Sequence, residues 1–314
     1  MQTYDTIIIG GACAGLAAGT YAARRAMKTL IISKDVGGQI ATTPSVENYP
    51  GIDFITGPDL AFAMQAQAVK WGAEFITDEV TEIRKRAEKD FLVRTYAGDY
   101  AAKSLILAYG KTPRSLDVPG ERQYGGRGVS YCVTCDAPLY KKRNVVVVGG
   151  GSSALEGALI LAKIATHVYL VHRRPEFRGE AVLLEQIKGT ENIELVTGSV
   201  SKEIVGDGTY ATGLTVSDVV SGAERTLPVD GIFVEIGFIV NTKLVQDVVT
   251  LDRLNQVVTN GMQDTSTPGI FAAGDLTDTA YKQAVISASE GAKAALSAYS
   301  YVNGTAAGVD WGTH

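Results

Sequence analysis

The sequence predicts an α/β chain of two doubly wound domains, each with a parallel sheet and a small β-meander, the second domain inserted into the first. Three observations carry this. Residues 6–33 (TIIIGGACAGLAAGTYAARRAMKTLIIS) run as a β-branched apolar strand, a Gly-rich turn, a helix of small residues and a second strand. Residues 145–172 (VVVVGGGSSALEGALILAKIATHVYLVH) repeat that plan, with Gly10 mapping onto Gly149 and Ser33 onto His172. Beyond the repeat, Gly269-Ile270-Phe271-Ala272-Ala273 is one more buried strand, which the first sheet can take up once the second has closed.

At 314 residues the chain is long for one core and sufficient for two. Hydrophobic residues make up 46% of it, which argues against disorder. Its 35 glycines follow no collagen period and point to tight turns and close backbone approaches. The net charge is −5 and no basic patch is visible, so nucleic acid is not an expected partner. No apolar stretch approaches the ~20 residues of a membrane span. The opening Met1-Gln2-Thr3-Tyr4-Asp5 lacks the basic n-region of a secretory signal. Three cysteines with a single C-x-x-C read as cytosolic redox or metal chemistry rather than a secreted disulfide framework.

The first loop is Gly10-Gly11-Ala12-Cys13-Ala14-Gly15, the dinucleotide fingerprint with Ala at its middle position. Gly10 permits the tight turn, Gly11 and Ala12 let the backbone approach a pyrophosphate, and Gly15 lets helix pack on strand. The following helix N-terminus supplies amide donors and a positive dipole end. Cys13 reads as a small packing residue, since nothing in the sequence pairs with it. The second strand ends at Ser33-Lys34-Asp35 with no acid in the ribose position. Residues 58–72 read as an amphipathic helix, 77–84, 89–97 and 100–103 as a meander, and Leu105-Ile106-Leu107-Ala108 as a separate buried strand closed by Gly110 and Pro113. The expected boundaries give domains of 1–113 with 244–314, and 114–243.

The second loop, Gly149-Gly150-Gly151-Ser152-Ser153-Ala154, is the G-x-G-x-x-A variant. Where an NAD site places a carboxylate, this chain has His172-Arg173-Arg174, then Arg178. Guanidinium groups grip a 2′-phosphate that a carboxylate would repel, so NADPH is expected over NADH. The alternative is a solvated basic turn. Late in the chain, Asp275 follows a buried strand and precedes a helix over about 281–300, so it can accept from a polyol chain or simply cap the helix. The last dozen residues read as a loose tail.

Cys132-Val133-Thr134-Cys135 admits three readings. Half a zinc site would need two further ligands, and Cys13, His167, His172 and His314 lack partner spacing. The pair could be two structural thiols. As a redox disulfide it would cycle two electrons, with adjacent Asp136 a candidate acid for the leaving thiolate.

Taken together, Gly37-Gly38-Gln39, Val46-Glu47-Asn48-Tyr49-Pro50-Gly51, Cys132-Val133-Thr134-Cys135-Asp136, Gly149-Gly150-Gly151, His172-Arg173-Arg174 with Phe177-Arg178, and Phe271-Ala272-Ala273-Gly274-Asp275 make the sequence resemble the low-molecular-weight thioredoxin reductases over nearly its whole length. The resemblance implies two Rossmann-like domains, the outer binding FAD and the inserted one carrying both the NADPH site and the disulfide. It implies that Gly38, Gln39, Asn48, Asp275, Gln283 and Ala284 contact FAD, that Cys135 faces the flavin, that Cys132 attacks the disulfide of thioredoxin or a thioredoxin-like protein, and that Asp136 donates the proton. It further implies a cytoplasmic homodimer. The chain departs from the family pattern at Tyr109, Phe238, Val240 and Lys282, and at Ala137-Pro138-Leu139 after the cysteines.

Other flavin enzymes of this plan use NADH or ferredoxin as donor, against which the second fingerprint and the arginines argue. A ferredoxin–NADP⁺ reductase would lack the cysteine pair. The reductase of a peroxidase system carries an extra N-terminal redox domain, for which no counterpart is expected here. A non-catalytic nucleotide sensor would leave the cysteines without purpose.

Overall fold

Strand β1 (Gln2–Ile9) is apolar on both faces because both are covered. Ile7 and Ile9 enter one core, with Leu105, Leu107, Val257 and Leu276, while Ile8 enters another, with Leu16, Ala18, Ala294 and Ala298. In the computed structural model, which describes residues 1–43 and 45–305, β1 leads into α1 (Cys13–Arg24), β2 (Thr29–Ser33), α2 (Gly57–Lys70) and β3 (Glu74–Thr77). Antiparallel β4 (Val80–Ala87), β5 (Asp90–Thr95) and β6 (Asp99–Leu107) follow.

The chain then crosses through β7 (Thr112–Pro113) into β8 (Val129–Ser130), α3 (Val133–Asp136), β9 (Asn144–Val148), α4 (Ser152–Ala162), β10 (His167–Val171), α5 (Ala181–Lys188) and β11 (Ile193–Val196). A meander of β12 (Ser199–Gly206), β13 (Ala211–Asp218) and β14 (Glu224–Pro228) precedes β15 (Gly231–Val234). Strand β16 (Phe238–Ile239) returns beside β7, and β17 (Ile270–Ala272) and α6 (Ala284–Asn303) end the described chain. Two units result, Met1–Thr112 with Val240 onward, and Pro113–Ile239.

In the first unit the order is β3-β2-β1-β6, all parallel, and β6 is shared on its other edge. Its first half pairs with β5 and its second half with β17. This corrects one expectation: residues 100–103 and the apolar run at 105–108 are not two strands but one, because β1 pairs with it continuously from Tyr100 to Leu107. The helix expected from about 281 begins at Ala284, since Gln283 is still extended. The expected tail lies almost wholly outside the described residues. Helices α1 and α6 cross closely over this sheet, where a Cβ on Gly291 would run into the Ala14 carbonyl.

The second unit is an all-parallel sheet, β11-β10-β9-β15-β8. Val145 and Val147 pack against α4 residues Ala154, Leu155, Ala158 and Leu161. Val146 and Val148 pack against the meander through Ile204, Leu214, Val216 and Leu227. In each unit the strand ending at the Gly-rich loop has its successor on one side and a later strand on the other. That is the switch point where open α/β sheets bind ligands, outside the carboxyl ends of the strands. No helix among the described residues is long and apolar enough to cross a membrane.

Candidate functional site

In the first unit, Gly10 has φ +117° and abuts the end of β6: a Cβ there would overlap the Ala108 carbonyl and lie 2.7 Å from Tyr109 N. Only glycine closes this turn. A Cβ on Gly15 would overlap the Gly10 carbonyl, so the start of α1 sits directly on the loop. Gly11 N–H donates to Ser33 Oγ at 2.9 Å, tying the loop to the end of β2, and Asp35 accepts from Gly38 N at 2.9 Å. Asp35 thus orders the Gly37–Gly38 turn. Ala12 is the N-cap of α1, which has no side-chain cap and no acid in its first turn. Helix α6 begins in the same way, with Gln283 at its N-cap and Ala284 at its first position. By contrast α2 has Thr56 accepting from Asp59 N, with Pro58 and Asp59 in its first turn. Two helices therefore leave their amide ends open to an anion.

The fold brings the scattered FAD candidates together. Asn48 Nδ2 donates to Gln283 Oε1 at 3.2 Å across 235 residues of chain. Gln39 Nε2 donates to the Lys111 carbonyl at 2.6 Å, and Lys111 Nζ lies 3.8 Å from Asp275. Ser287 Oγ lies 3.4 Å from the other Asp275 oxygen. Lys282 turns back to the Thr277 carbonyl at 2.6 Å, and burial pulls its pKa down. Tyr109 is half-buried, and its hydroxyl is buried without a partner among the described residues; burial pushes its pKa up. Cys13 is buried, and desolvation pushes its thiol up to about 11, which leaves it unreactive near neutral pH.

In the second unit, Gly151 caps α4, again with no side-chain cap and no acid in the first turn. A Cβ on Gly151 would meet nothing within 4 Å, so the approach to Ser152 and Ser153 is open, whereas the Ala154 side chain is fully buried against β9. Arg178 N–H and Gly179 N–H both donate to the Gly150 carbonyl, at 2.8 and 3.2 Å, folding the basic segment back on the loop. Arg173, Arg174 and Arg178 are exposed, and none has an ion-pair partner among the described residues, whereas Arg84, Arg86, Arg94, Arg143 and Arg225 all do. The structure places His172 under the loop. It is only 6% exposed, stacks on Phe177 at 5.2 Å, and fills the space a Cβ on Gly150 would need. Burial, then Arg178, pulls its pKa down, so it stays neutral. Gly149 packs on the Glu235 carbonyl.

Cys132 and Cys135 form a disulfide with Cα atoms 5.3 Å apart, closing the single turn of α3. Asp136 ends that turn and is 9% exposed. Its Oδ2 accepts from Ser130 Oγ at 2.6 Å, while Oδ1 is buried with no partner among the described residues. Burial raises its pKa, partly opposed by the Ser130 bond. The same Ser130 Oγ accepts from Cys132 N at 3.1 Å. Ser130, Lys111 and Glu290, which is buried and holds Gly274 N at 2.6 Å, are not read as site residues from the sequence, and Ser33 is read there only as the repeat's counterpart of His172. Glu290 had a signal, a lone acid among small residues of α6; the others had none.

A family model described as pyridine nucleotide-disulphide oxidoreductase matches residues 4–291. The chain is 39% identical over 303 residues to a thioredoxin reductase of Listeria monocytogenes, covering 96% of this chain and 94% of that one. It is 36% identical over 309 residues to an alkyl hydroperoxide reductase protein of Xanthomonas campestris pv. phaseoli, covering 98% of this chain but only 58% of that longer one. The solved thioredoxin reductase of Streptococcus pyogenes MGAS5005 superposes with a TM-score of 0.92 at 36% identity, over 96% of this chain and 99% of that one.

Proposed function

Since the chain belongs to the pyridine nucleotide-disulphide oxidoreductase family, we propose that it is a thioredoxin-disulfide reductase, with NADPH as donor, FAD as carrier and the Cys132–Cys135 disulfide as exit. The observation that carries this reading is a disulfide closed beside a buried carboxyl whose second oxygen has no partner among the described residues.

The residues present fit both cofactors. The open N-termini of α1 and α6, the Asn48–Gln283 contact and a Tyr109 hydroxyl without a partner among the described residues suit a large, polar, anionic ligand on the first unit. Gly10, Gly11, Ala12 and Gly15 would hold its pyrophosphate, and Asp275 its polyol. The open face at Gly151 and three guanidiniums without an ion-pair partner among the described residues suit a dinucleotide with an extra phosphate on residues 114–243. Bound there, the two cofactors supply hydride and electron transfer, which no side chain provides.

The chain's own residues then do the exchange. With the pair reduced, the Cys132 thiolate attacks a partner disulfide, forming one S–S bond and breaking another. The departing partner thiolate takes a proton from Asp136. Cys135, giving its proton to the Asp136 carboxylate, attacks Cys132 Sγ and restores the 132–135 disulfide, and the second partner thiolate leaves with that proton. Two electrons and two protons pass to the partner. We place this activity in the cytoplasm and in a homodimer, which sedimentation would test.

The deciding experiment is NADPH-driven reduction of thioredoxin by the purified yellow protein. Cys132→Ser and Cys135→Ser should keep the flavin and its bleaching by NADPH and lose transfer by more than 100-fold, on the order of what removing an essential nucleophile costs. A mixed disulfide trapped only in Cys135→Ser identifies Cys132 as the attacking thiol. Substantial transfer by either variant would overturn the assignment.

A further inference from the structure

The rim of the disulfide holds one group that the exchange chemistry leaves unexplained. Ser130 is 5% exposed, at the end of β8 two residues before Cys132. Its hydroxyl has one hydrogen and two acceptors in reach, Asp136 Oδ2 at 2.6 Å and the Cys132 carbonyl at 3.4 Å. The shorter bond, to a carboxyl, takes the hydrogen. Its lone pair receives Cys132 N–H at 3.1 Å. One oxygen therefore joins the attacking cysteine's backbone to one specific oxygen of the acid.

We infer that Ser130 is a positioning residue that selects which oxygen of Asp136 carries the transferable proton. With Oδ2 occupied as an acceptor, a proton on the carboxyl goes to Oδ1, which is buried and has no partner among the described residues. A carboxyl free to rotate in its pocket would present that proton in either of two directions. Held by Ser130, it presents one. The inference rests on the proposed role of Asp136 as the acid.

The sign of the effect follows from the charge. The Ser130 bond stabilises the carboxylate and so opposes the upward push of burial on Asp136. Among the described residues, Tyr140, on the turn after α3, feels the Asp136 charge, and the cysteine pair lies beside Asp136 on α3. Asp230 faces Tyr140 in turn, and burial pushes that phenol up to about 12, so it stays neutral through the working range. Deleting the Ser130 hydroxyl removes a bond to the charged form, and Asp136 holds its proton to higher pH.

The test uses the holoenzyme, chemically reduced and freed of reductant, in single turnover with hydroxyethyl disulfide, whose alkyl thiolate needs a proton to leave, so neither NADPH nor thioredoxin enters. A failed NADPH or thioredoxin assay is thereby a separate result from a failure here. In Ser130→Ala the alkaline limb of the rate–pH profile should move up by about one pH unit, and the plateau should fall about tenfold as the proton loses its direction. Ser130→Thr, which keeps a hydroxyl, should restore the wild-type limb. If Ser130→Ala does not fold, Ser130→Gly, which also lacks the hydroxyl and adds no bulk, should move the limb the same way. A carboxyl titration by ¹³C-aspartate NMR should show Asp136 shifted alike. An unmoved limb, or an unmoved Asp136 titration, in a folded variant would overturn the inference.

Discussion

At the scale of single residues, we propose that charge sets cofactor choice. Arg173, Arg174 and Arg178 stand exposed without carboxylate partners among the described residues, while the segment bearing them is bonded back to Gly150. A guanidinium that no acid neutralises is free to pair with a phosphate, and each such charge-assisted bond is worth about 1.5–3 kcal/mol. Replacing Arg173 and Arg174 by Gln should raise the KM for NADPH by at least ~10-fold, with little change in kcat or in the KM for NADH. Steady-state kinetics with both nucleotides check this. A wild-type enzyme with the higher kcat/KM for NADH would refute the NADPH assignment. His172 beside them is the neutral ring on which the loop rests.

At the scale of elements, the second Gly-rich loop separates two demands that one glycine motif combines. A Cβ at Gly150 would collide with the His172 ring, whereas one at Gly151 would project into open space. Gly150→Ala should therefore destabilise the protein, by about 1–3 kcal/mol, as overpacking does. It should lower the melting temperature whether or not nucleotide is present. Gly151→Ala should leave stability within about 0.5 kcal/mol of wild type but weaken NADPH by crowding its phosphates. Its φ of −94° suits alanine, so backbone strain would not confuse the comparison. Melting curves and NADPH titrations of the two variants distinguish packing from ligand contact. Equal behaviour would mean that the loop does not approach a phosphate from the Gly151 side.

At the scale of the whole molecule, the order of parts along the chain sets a constraint. The disulfide and the second fingerprint lie on one unit, and the first fingerprint with Asn48, Asp275 and Gln283 lies on the other. Among the described residues the chain passes between them at β7 and β16, which pair with each other, and Arg114 N donates to the Gly237 carbonyl at 2.9 Å. In the proposed activity the dithiol meets both a flavin and a protein disulfide while nicotinamide also reaches that flavin, and we propose reorientation about these crossings on the μs–ms scale. A crosslink tethering one unit to the other should stop turnover while sparing one half-reaction, followed by stopped-flow flavin absorbance. Full steady-state activity in a verified crosslinked protein would rule reorientation out.

The α/β class was legible because short-range chemistry states it: β-branched runs, Gly-rich turns and small-residue helices recur in matched register, and the family shares that fold. The cysteine pair was equally legible, since three residues of separation on one turn leave little to long-range folding. What sequence could not convey depends on contacts between distant segments. That β6 is one strand follows from its unbroken pairing with β1, which overrides the local break read near Ser104. That Asn48 meets Gln283, that Ser130 picks one oxygen of Asp136, and that His172 sits beneath Gly150 are matters of where side chains end after packing. Residue type and spacing name the groups able to do the chemistry. Only the closed cores, by desolvating some groups and leaving others exposed, decide which of them are buried, which stay charged and which oxygen holds a proton.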